Sequence, residues 1–249
     1  MSVENKTIVV AGAGGGMGKE IVRLLLADKA NVVGCDINVE GLSEFQTEGN
    51  FLALQGDLLD EAVVKDMFDQ ANTTFGGING LVNAAGIAQR ATPIEEVSLK
   101  AWHKIMNLNM TMAFLTCREA VRYMKENKAG SIVNIGSVST TRPRPGLQSY
   151  VASKGAIESF SKALALELAP DKINVNILHP GPCDTSMLEQ FAKEGANIDE
   201  VKDSVFKQSV PLGELLTPID IANSVKFLLS NEAKMITGTV MHVDGGRSV

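Results

Sequence analysis

Two residues of this 249-residue chain have the types and spacing for proton chemistry: Tyr150 and Lys154, in the stretch Ser149-Tyr150-Val151-Ala152-Ser153-Lys154. Four positions apart, they share one face of a helix that the small-residue pattern carries to about Leu168. A phenol with a pKa near ~10 is a poor base at neutral pH. An ammonium about 5 Å away, at an effective dielectric of about 20, favours the phenolate by roughly 3 kcal/mol, or about 2 pK units. The pair therefore predicts a proton shuttle working near neutrality. One such pair can arise by chance, so its meaning depends on what the chain brings beside it.

A second constellation is Gly12-Ala13-Gly14-Gly15-Gly16-Met17-Gly18, which follows an apolar run and leads into Lys19-Glu20-Ile21-Val22. A strand, a glycine-rich turn and a helix N-terminus direct backbone N–H groups and the helix dipole at a phosphate. The spacing is G-x-x-x-G-x-G at Gly12, Gly16 and Gly18. The Walker form fails, because Ala13 stands at its first glycine and Glu20 where a Ser/Thr would hold magnesium. Asp36, about 20 residues beyond the glycines, can accept hydrogen bonds from ribose hydroxyls and would repel a 2′-phosphate. Neither Gly15 nor Ile37 supplies the cation that such a phosphate wants, so the expected cofactor is NAD(H) rather than NADP(H). Asp36 can also be read as a turn residue capping the next helix. Asp57 and Leu58 follow the third strand, and Asn83-Ala84-Ala85-Gly86 closes the fourth with residues small enough for a flat ligand to approach the backbone. Asn83 has an equally good reading as a bridge between strand ends.

The elements that must hold these residues follow from the alternation of apolar runs. Strands are expected at Thr7–Ala11, Asn31–Cys35, Phe51–Leu54, Gly80–Asn83, Ser131–Ile135, Ile173–Leu178 and Val240–Val243. Helices are expected at Gly18–Ala27, Asp60–Thr73, Leu99–Glu126 and Thr217–Leu229, beside the one bearing Tyr150. Short apolar strands alternating with helices predict an α/β fold: one doubly wound, Rossmann-type parallel sheet of about seven strands with helices on both faces. No repeat, linker or composition shift divides the chain, so residues 1–249 read as one dinucleotide-binding and catalytic domain. Gly12, Asp36, Asp57, Asn83, Ser137 and Pro180 then all fall at carboxyl ends of strands, where such sheets bind ligands.

The net charge of −6 argues against nucleic acid or an anionic membrane as partner. No apolar run reaches the length of a membrane span. Cys35, Cys117 and Cys183 are too far apart for a disulfide framework or a zinc site, and no metal is implied. Cys35 and Cys117 read as packing residues, and the whole fits a reducing cytoplasm.

Gly12-x-x-x-Gly16-x-Gly18, Asn83-Ala84-Ala85-Gly86, Asn109, Ser137, Tyr150-x-x-x-Lys154 and Pro180-Gly181 together resemble the short-chain dehydrogenase/reductase family in its classical form. The resemblance runs to Thr237-Gly238 and Val243-Asp244-Gly245-Gly246. It implies that Asn109, in a long fourth helix, holds a proton-relay water, and that Ser137 hydrogen-bonds the substrate oxygen. It implies that His179-Pro180-Gly181-Pro182-Cys183-Asp184-Thr185 lies over the nicotinamide, with the Cys183 backbone on the carboxamide and the Thr185 hydroxyl near it or the pyrophosphate. Cys183 stands where most relatives carry Ile or Val and would make the site sensitive to thiol reagents; His179 reads as packing. Gly136 replaces a serine before Ser137, and Ala11 a threonine before the glycines. The resemblance also implies a homotetramer, or a homodimer built on the helices of Asn109 and Tyr150.

The implied reaction is hydride transfer between a secondary alcohol or ketone and nicotinamide, with Tyr150 as general acid/base. A 3-oxoacyl-carrier-protein reductase is the alternative in the same class, and a dinucleotide sensor or scaffold without chemistry the alternative in another. The substrate is sparsely encoded. Residues 186 to about 210, with Met187, Leu188, Phe191, Val205 and Phe206, are expected to form a mobile lid. Beside Ser137, Ser139 and Tyr150, the loop residues Arg142, Arg144 and Gln148 are candidate substrate contacts, with Gln89 and Arg90 elsewhere. An arginine there could grip a carboxylate, or lie in solvent or at a subunit contact.

Overall fold

The computed structural model describes residues 2–191 and 205–249. Seven strands, β1 (Thr7–Ala11), β2 (Asn31–Asp36), β3 (Phe51–Gln55), β4 (Gly80–Asn83), β5 (Gly130–Ile135), β6 (Ile173–Pro180) and β7 (Val240–Val243), form one parallel sheet in the order β3-β2-β1-β4-β5-β6-β7. Between them run α1 (Gly16–Ala27), α2 (Glu61–Phe75), α3 (Leu99–Met106), α4 (Met112–Asn127), α5 (Gln148–Leu168), the short α6 (Ser186–Gln190) and α7 (Pro218–Leu229).

Strand side chains alternate between two cores. In β1, Ile8 and Val10 face the core that holds Ile21 and Leu25 of α1 and Ile221 and Val225 of α7. Val9 and Ala11 face the other, with Phe68 of α2, Met124 of α4 and Leu168 of α5. Both faces are covered, so the strands read as unbroken apolar runs, and this is why their positions were legible. Asp60 caps α2 by accepting from Ala62 N and Val63 N, and Gly76 at φ 75° ends it.

The helix expected over Leu99–Glu126 is interrupted. A widened π-turn at Asn107–Thr111 separates α3 from α4, with Met112 N bonded to Asn107 O five residues back. Asn109 lies in that turn, and its side chain supplies the cause. Oδ1 accepts from Ile87 N at 2.8 Å, while Nδ2 donates to Ile87 O at 3.1 Å and to Ser153 Oγ at 2.9 Å. A buried amide pinned at three points to the β4 exit and to α5 outweighs one regular helical bond.

A second buried polar network fixes α5 against the sheet. Thr116 donates to Asn83 Oδ1, Asn83 Nδ2 donates to Asn134 Oδ1, and Asn134 Nδ2 donates to Ser161 Oγ, each at 2.7–2.8 Å. Ser161 passes its own proton to Ile157 O. Each member is satisfied, so the network joins β4, β5, α4 and α5 without an orphaned group. The side chain of Asn83 is thereby committed to bridging strand ends.

The sheet reverses direction at β1, whose neighbours are β2 and β4. Ligands bind in the crevice at such a switch point. Here Ala84 N and Ala85 N both donate to Ala11 O, closing β4 against the glycine turn. The lid expected over 186–210 falls largely on residues 192–204, outside the described residues.

Candidate active site

The cleft at the carboxyl ends of the strands has two halves. The first runs over the glycine turn, between β1, β2 and β4. Gly12 has φ +83°, and a Cβ there would lie 2.4 Å from the backbone of Ala85; at Gly18 it would lie 2.0 Å from Gly12 O. No other residue fits either place. Helix α1 starts at this turn with no side chain capping it, so its first-turn N–H groups remain for an anion. Gly12, Gly15, Gly16, Met17 and Gly18 line the half-cleft, and Asp36, Ile37, Asp57 and Leu58 form its far end. Asp36 Oδ2 accepts from Gly14 N at 2.9 Å and Oδ1 from Asn38 N at 3.1 Å, so the carboxylate holds the glycine turn as well as facing the cavity. Its two expected readings, ribose acceptor and turn residue, are thus compatible. Ala84, Ala85 and Gly86 form the wall, whereas the Asn83 side chain lies in the core network described above.

The free volume here is about 410 Å³, inside the ~300–1,000 Å³ range of cofactor sites. Its charged lining among the described residues is Asp36 and Asp57, with no Lys or Arg. A glycine cradle for phosphates with carboxylates at the ribose end fits a dinucleotide without a 2′-phosphate. A side chain at Gly86 would stand 3.0 Å from Asn109 Oδ1 and 3.5 Å from Lys154 Nζ, so this glycine keeps open the space between the two halves.

The second half holds Ser137, Ser139, Tyr150 and Lys154. Ser137, just past β5, accepts from Ser139 N through Oγ at 3.1 Å, and its hydroxyl lowers the pKa of the nearby Tyr150 phenol. Lys154 Nζ donates to Ile135 O at 2.8 Å and sits 5.9 Å from the Tyr150 ring centre. Gln89 Oε1 accepts from Tyr150 N at 3.0 Å and orients the first turn of α5. Phe191 packs edge-on against the Tyr150 ring, with centroids 5.1 Å apart.

The expected acidification of Tyr150 by Lys154 is not found in this arrangement. Burial pushes the phenol above its usual range, and only the Ser137 hydrogen bond pulls it down. Lys154 is itself depressed to about 8 by burial, and its proton is directed at Ile135 O. Desolvation thus acts on both partners and outweighs their attraction.

Pro180 ends β6, Gly181 and Cys183 follow it, all three line this half, and Thr185 borders both halves. Thr185 Oγ1 donates to Cys183 O at 3.5 Å. The Cys183 thiol is buried and pushed up to about 12, which argues against the expected sensitivity to thiol reagents. Cys35 and Cys117 are buried with similarly raised thiols, as packing residues should be. His179 is fully buried and lowered to about 4, and its ring occupies the space that a side chain at Gly136 would need. The glycine standing for serine at 136 is therefore matched to His179.

Of the loop candidates, Arg142 and Arg144 line the cavity, and Gln148 does not. Gln148 accepts from Gln89 Nε2 and donates to Thr92 O, both at 3.3 Å, bracing the loop instead. Gln89 is likewise a brace for α5. Arg247 also lines the cavity and was not anticipated, because it lies one residue beyond the Asp244-Gly245-Gly246 run. Asn134, Thr116 and Ser161 were missed as positioning residues. The available signal was an asparagine inside the otherwise apolar run Ile132–Ile135.

The family model described as Enoyl-(Acyl carrier protein) reductase matches residues 12–248. The chain is 34% identical to 2,3-dihydro-2,3-dihydroxybenzoate dehydrogenase of Bacillus subtilis, over 99% of this chain and 97% of that protein. It is 36% identical to 3-alpha-(or 20-beta)-hydroxysteroid dehydrogenase of Mycobacterium bovis, over 97% of this chain and 88% of that one. Among solved structures, the 3-ketoacyl-(acyl-carrier-protein) reductase from Brucella melitensis complexed with NADH superposes with a TM-score of 0.91 at 36% identity, covering 100% of both chains. The chain belongs to the short-chain dehydrogenase/reductase family and is an oxidoreductase acting on CH–OH groups or the corresponding ketones.

Proposed function

We propose that this oxidoreductase uses NAD(H), with Tyr150, Ser137, Lys154 and Asn109 as its working residues, on a small alcohol or ketone. The observation that carries this reading is that Ser137, Tyr150 and buried Lys154 line one cavity that shares a wall with the acidic dinucleotide cleft. Bound in that cleft, the nicotinamide would supply the hydride acceptor or donor. Asp36 would take the adenosine ribose hydroxyls, the Gly12–Gly18 turn the pyrophosphate, and Lys154 the nicotinamide ribose. The Ser137 hydroxyl donates to the substrate oxygen and holds it beside the Tyr150 phenol. In the ketone-reducing direction the protonated phenol gives its proton to that oxygen; in the alcohol-oxidising direction the phenolate removes it. Burial moves the phenol further from neutrality than an ordinary tyrosine, so the alcohol-oxidising direction needs a higher pH.

The NADH in the Brucella structure supports the choice of cofactor, as does a half-cleft whose lining among the described residues holds Asp36 and Asp57 but no Lys or Arg. That structure also supports the second reading, a 3-oxoacyl-carrier-protein reductase, since NADH preference no longer separates the two. A screen of secondary alcohols, sugar acids and hydroxysteroids with NAD and NADP, followed by absorbance of the reduced nicotinamide, tests the first reading. Turnover with NADP alone would overturn the cofactor assignment. Acetoacetyl-carrier protein with NADH tests the second. NAD binding without any turnover would return the sensor reading.

The assembly we propose is a homotetramer or homodimer through α4 and α5, where Phe114 and Leu166 are 40% and 80% exposed. Sedimentation at a monomer's mass would refute it. Among the described residues no helix is long and apolar enough to cross a membrane. Three buried free thiols are compatible with a cytoplasmic setting.

A further inference from the structure

The substrate half of the cleft has an unbalanced charge. The charged residues lining it are Arg142, Arg144, Lys154 and Arg247, with no Asp or Glu among the described residues. Lys154 is engaged at the base of the cavity by Ile135 O. The three arginines have no side-chain carboxylate as partner among the described residues. Arg142 spends Nη1 on Arg247 O at 2.9 Å and Val249 O at 3.4 Å. Arg247 is only 9% exposed and reaches Ser209 O at a marginal 3.5 Å. Arg144 lies with its guanidinium 5.0 Å from the Phe206 ring centre, a stacking contact that leaves the N–H edge of the fork for another partner.

Burial and the two neighbouring guanidiniums hold Arg247 below its ordinary range, with Asp244 as the weakest influence. The Asp244 carboxylate is committed elsewhere, accepting from Gly246 N at 2.9 Å and Ser248 N at 2.8 Å. Arg144 is lowered by burial alone. Arg144 and Arg247, half-buried and buried at one cavity with no side-chain carboxylate bonded to them among the described residues, oppose their own burial unless an anion joins them, and Arg142 adds an exposed guanidinium at the rim. A separate observation points the same way. Ser139, 8% exposed and lining the same cavity, has a buried Oγ with no hydrogen-bond partner among the described residues. A buried orphan hydroxyl in a binding cavity is a group awaiting a ligand atom. The remaining wall is apolar, with Val138, Leu147, Leu188, Phe191 and Phe206.

We propose that the substrate is a hydrophobic-bodied hydroxy or keto acid whose carboxylate is held by the guanidinium groups of Arg142, Arg144 and Arg247, with the Ser139 hydroxyl as a further donor. This rests on the oxidoreductase reading of the same cleft, which places the reacting carbon at Tyr150 and the carboxylate at the opposite end. A planar fork on a carboxylate gives orientation as well as affinity, so the arginines would also set which face of the ketone meets the nicotinamide.

Benzoate and benzamide are near-identical in shape and differ in charge, so calorimetric titration of each into the NAD-loaded protein at low salt isolates the anion requirement. Benzoate is expected to bind at least about tenfold tighter than benzamide. Arg144→Met and Arg247→Met, which retain an apolar stem, should each weaken benzoate about tenfold while leaving NAD affinity within about twofold. Equal affinity for the two compounds, no binding of either, or loss of both together in the variants overturns the proposal. The wild-type comparison needs no variant, so a misfolded substitution does not remove the test. The two readings fail separately: turnover of a neutral ketone without benzoate binding removes the anion site alone, and benzoate binding without turnover of any alcohol removes the catalytic reading alone.

Discussion

The two halves of the cleft share one wall and carry opposite charge. Met17, Ala84, Gly86, Ile87, Thr185 and Met187 line both, and all six are uncharged. On one side of that wall the charged groups are Asp36 and Asp57; on the other they are Arg142, Arg144, Lys154 and Arg247. The difference also lies in how the charges are held. Asp36 and Asp57 accept backbone N–H bonds at a rim open to water, from Gly14 and Asn38 in one case and Leu59 in the other. Lys154 and Arg247 are buried, and burial depresses both. The acidic half therefore has both carboxylates already held by backbone N–H groups. On the reading proposed above, the basic half is completed by the ligand's carboxylate.

The largest expected effect falls on the basic half. Tyr150→Phe removes the proposed proton-transferring group and should lower kcat by about 10³-fold or more, with NAD affinity retained. The wild-type pH profile carries the same information. With the Tyr150 phenol held above its usual range, ketone reduction should stay flat across neutral pH, while alcohol oxidation climbs with pH as phenolate forms. An oxidation rate already level at pH 7 would show that cofactor binding restores the acidified tyrosine expected from the Tyr150–Lys154 spacing alone.

Lys154→Met sharpens the contrast by separating function from stability. Lys154 is depressed to about 8 in the folded protein, against about 10.4 unfolded. Below pH 8 both states are protonated and the folded one bears the full cost of a buried ammonium. Between pH 8 and about 10.4 the unfolded state still holds the proton that the folded state has lost, so wild-type stability rises with pH. The methionine protein, without its cofactor, should therefore be more stable than wild type at pH 7, by on the order of 3 kcal/mol at most. Some of that gain is offset by the lost bond to Ile135 O. The advantage should vanish by about pH 10.5, and activity should fall at least about 100-fold. Denaturant melts at pH 7 and pH 10 decide the matter; a variant less stable at both would mean that the lysine is not under electrostatic strain.

On the acidic half the expected change is smaller. Asp36→Asn keeps an oxygen for Gly14 N but removes the charge, so the glycine turn survives while repulsion of a 2′-phosphate is lost. The ratio of kcat/KM for NADH over NADPH should fall about tenfold, roughly the worth of one exposed charge pair of ~1 kcal/mol together with a lost ribose bond. No change in that ratio would mean that the glycine turn, and not the carboxylate, sets the preference.

The unequal halves were unequally legible in the sequence. The acidic half is built from contiguous backbone, Gly12–Gly18 and Asp36 following consecutive strands, so spacing alone located it. The strands themselves were read to within two residues because they are buried on both faces. The basic half draws Ser137, Arg142, Tyr150, Phe206 and Arg247 from distant parts of the chain, and only the fold brings Arg247 beside Arg144. Periodicity also could not reveal the π-turn at Asn107–Thr111, because its cause is the contact of Asn109 with Ile87 and Ser153. Nor could it show that burial would act against the Tyr150–Lys154 attraction, since desolvation depends on what covers the pair.

Cys183 is where the smallest effect is expected. It lies in the basic half, yet it contributes no charge, because a thiol pushed up to about 12 is thiolate in only about one molecule in ~10⁴ at pH 8. Its backbone is fixed independently of the side chain: Leu216 N donates to Pro182 O at 2.9 Å and Asp184 N to Leu216 O at 2.8 Å on either side of it. Any contact it makes with a carboxamide runs through that backbone. Cys183→Val should therefore leave kcat and KM within about twofold, since a buried swap of similar volume is tolerated. Iodoacetamide at pH 8 should leave activity intact over hours. Rapid inactivation that the valine variant escapes would show a low-pKa thiol at the nicotinamide end, and the basic half would then hold an anion of its own.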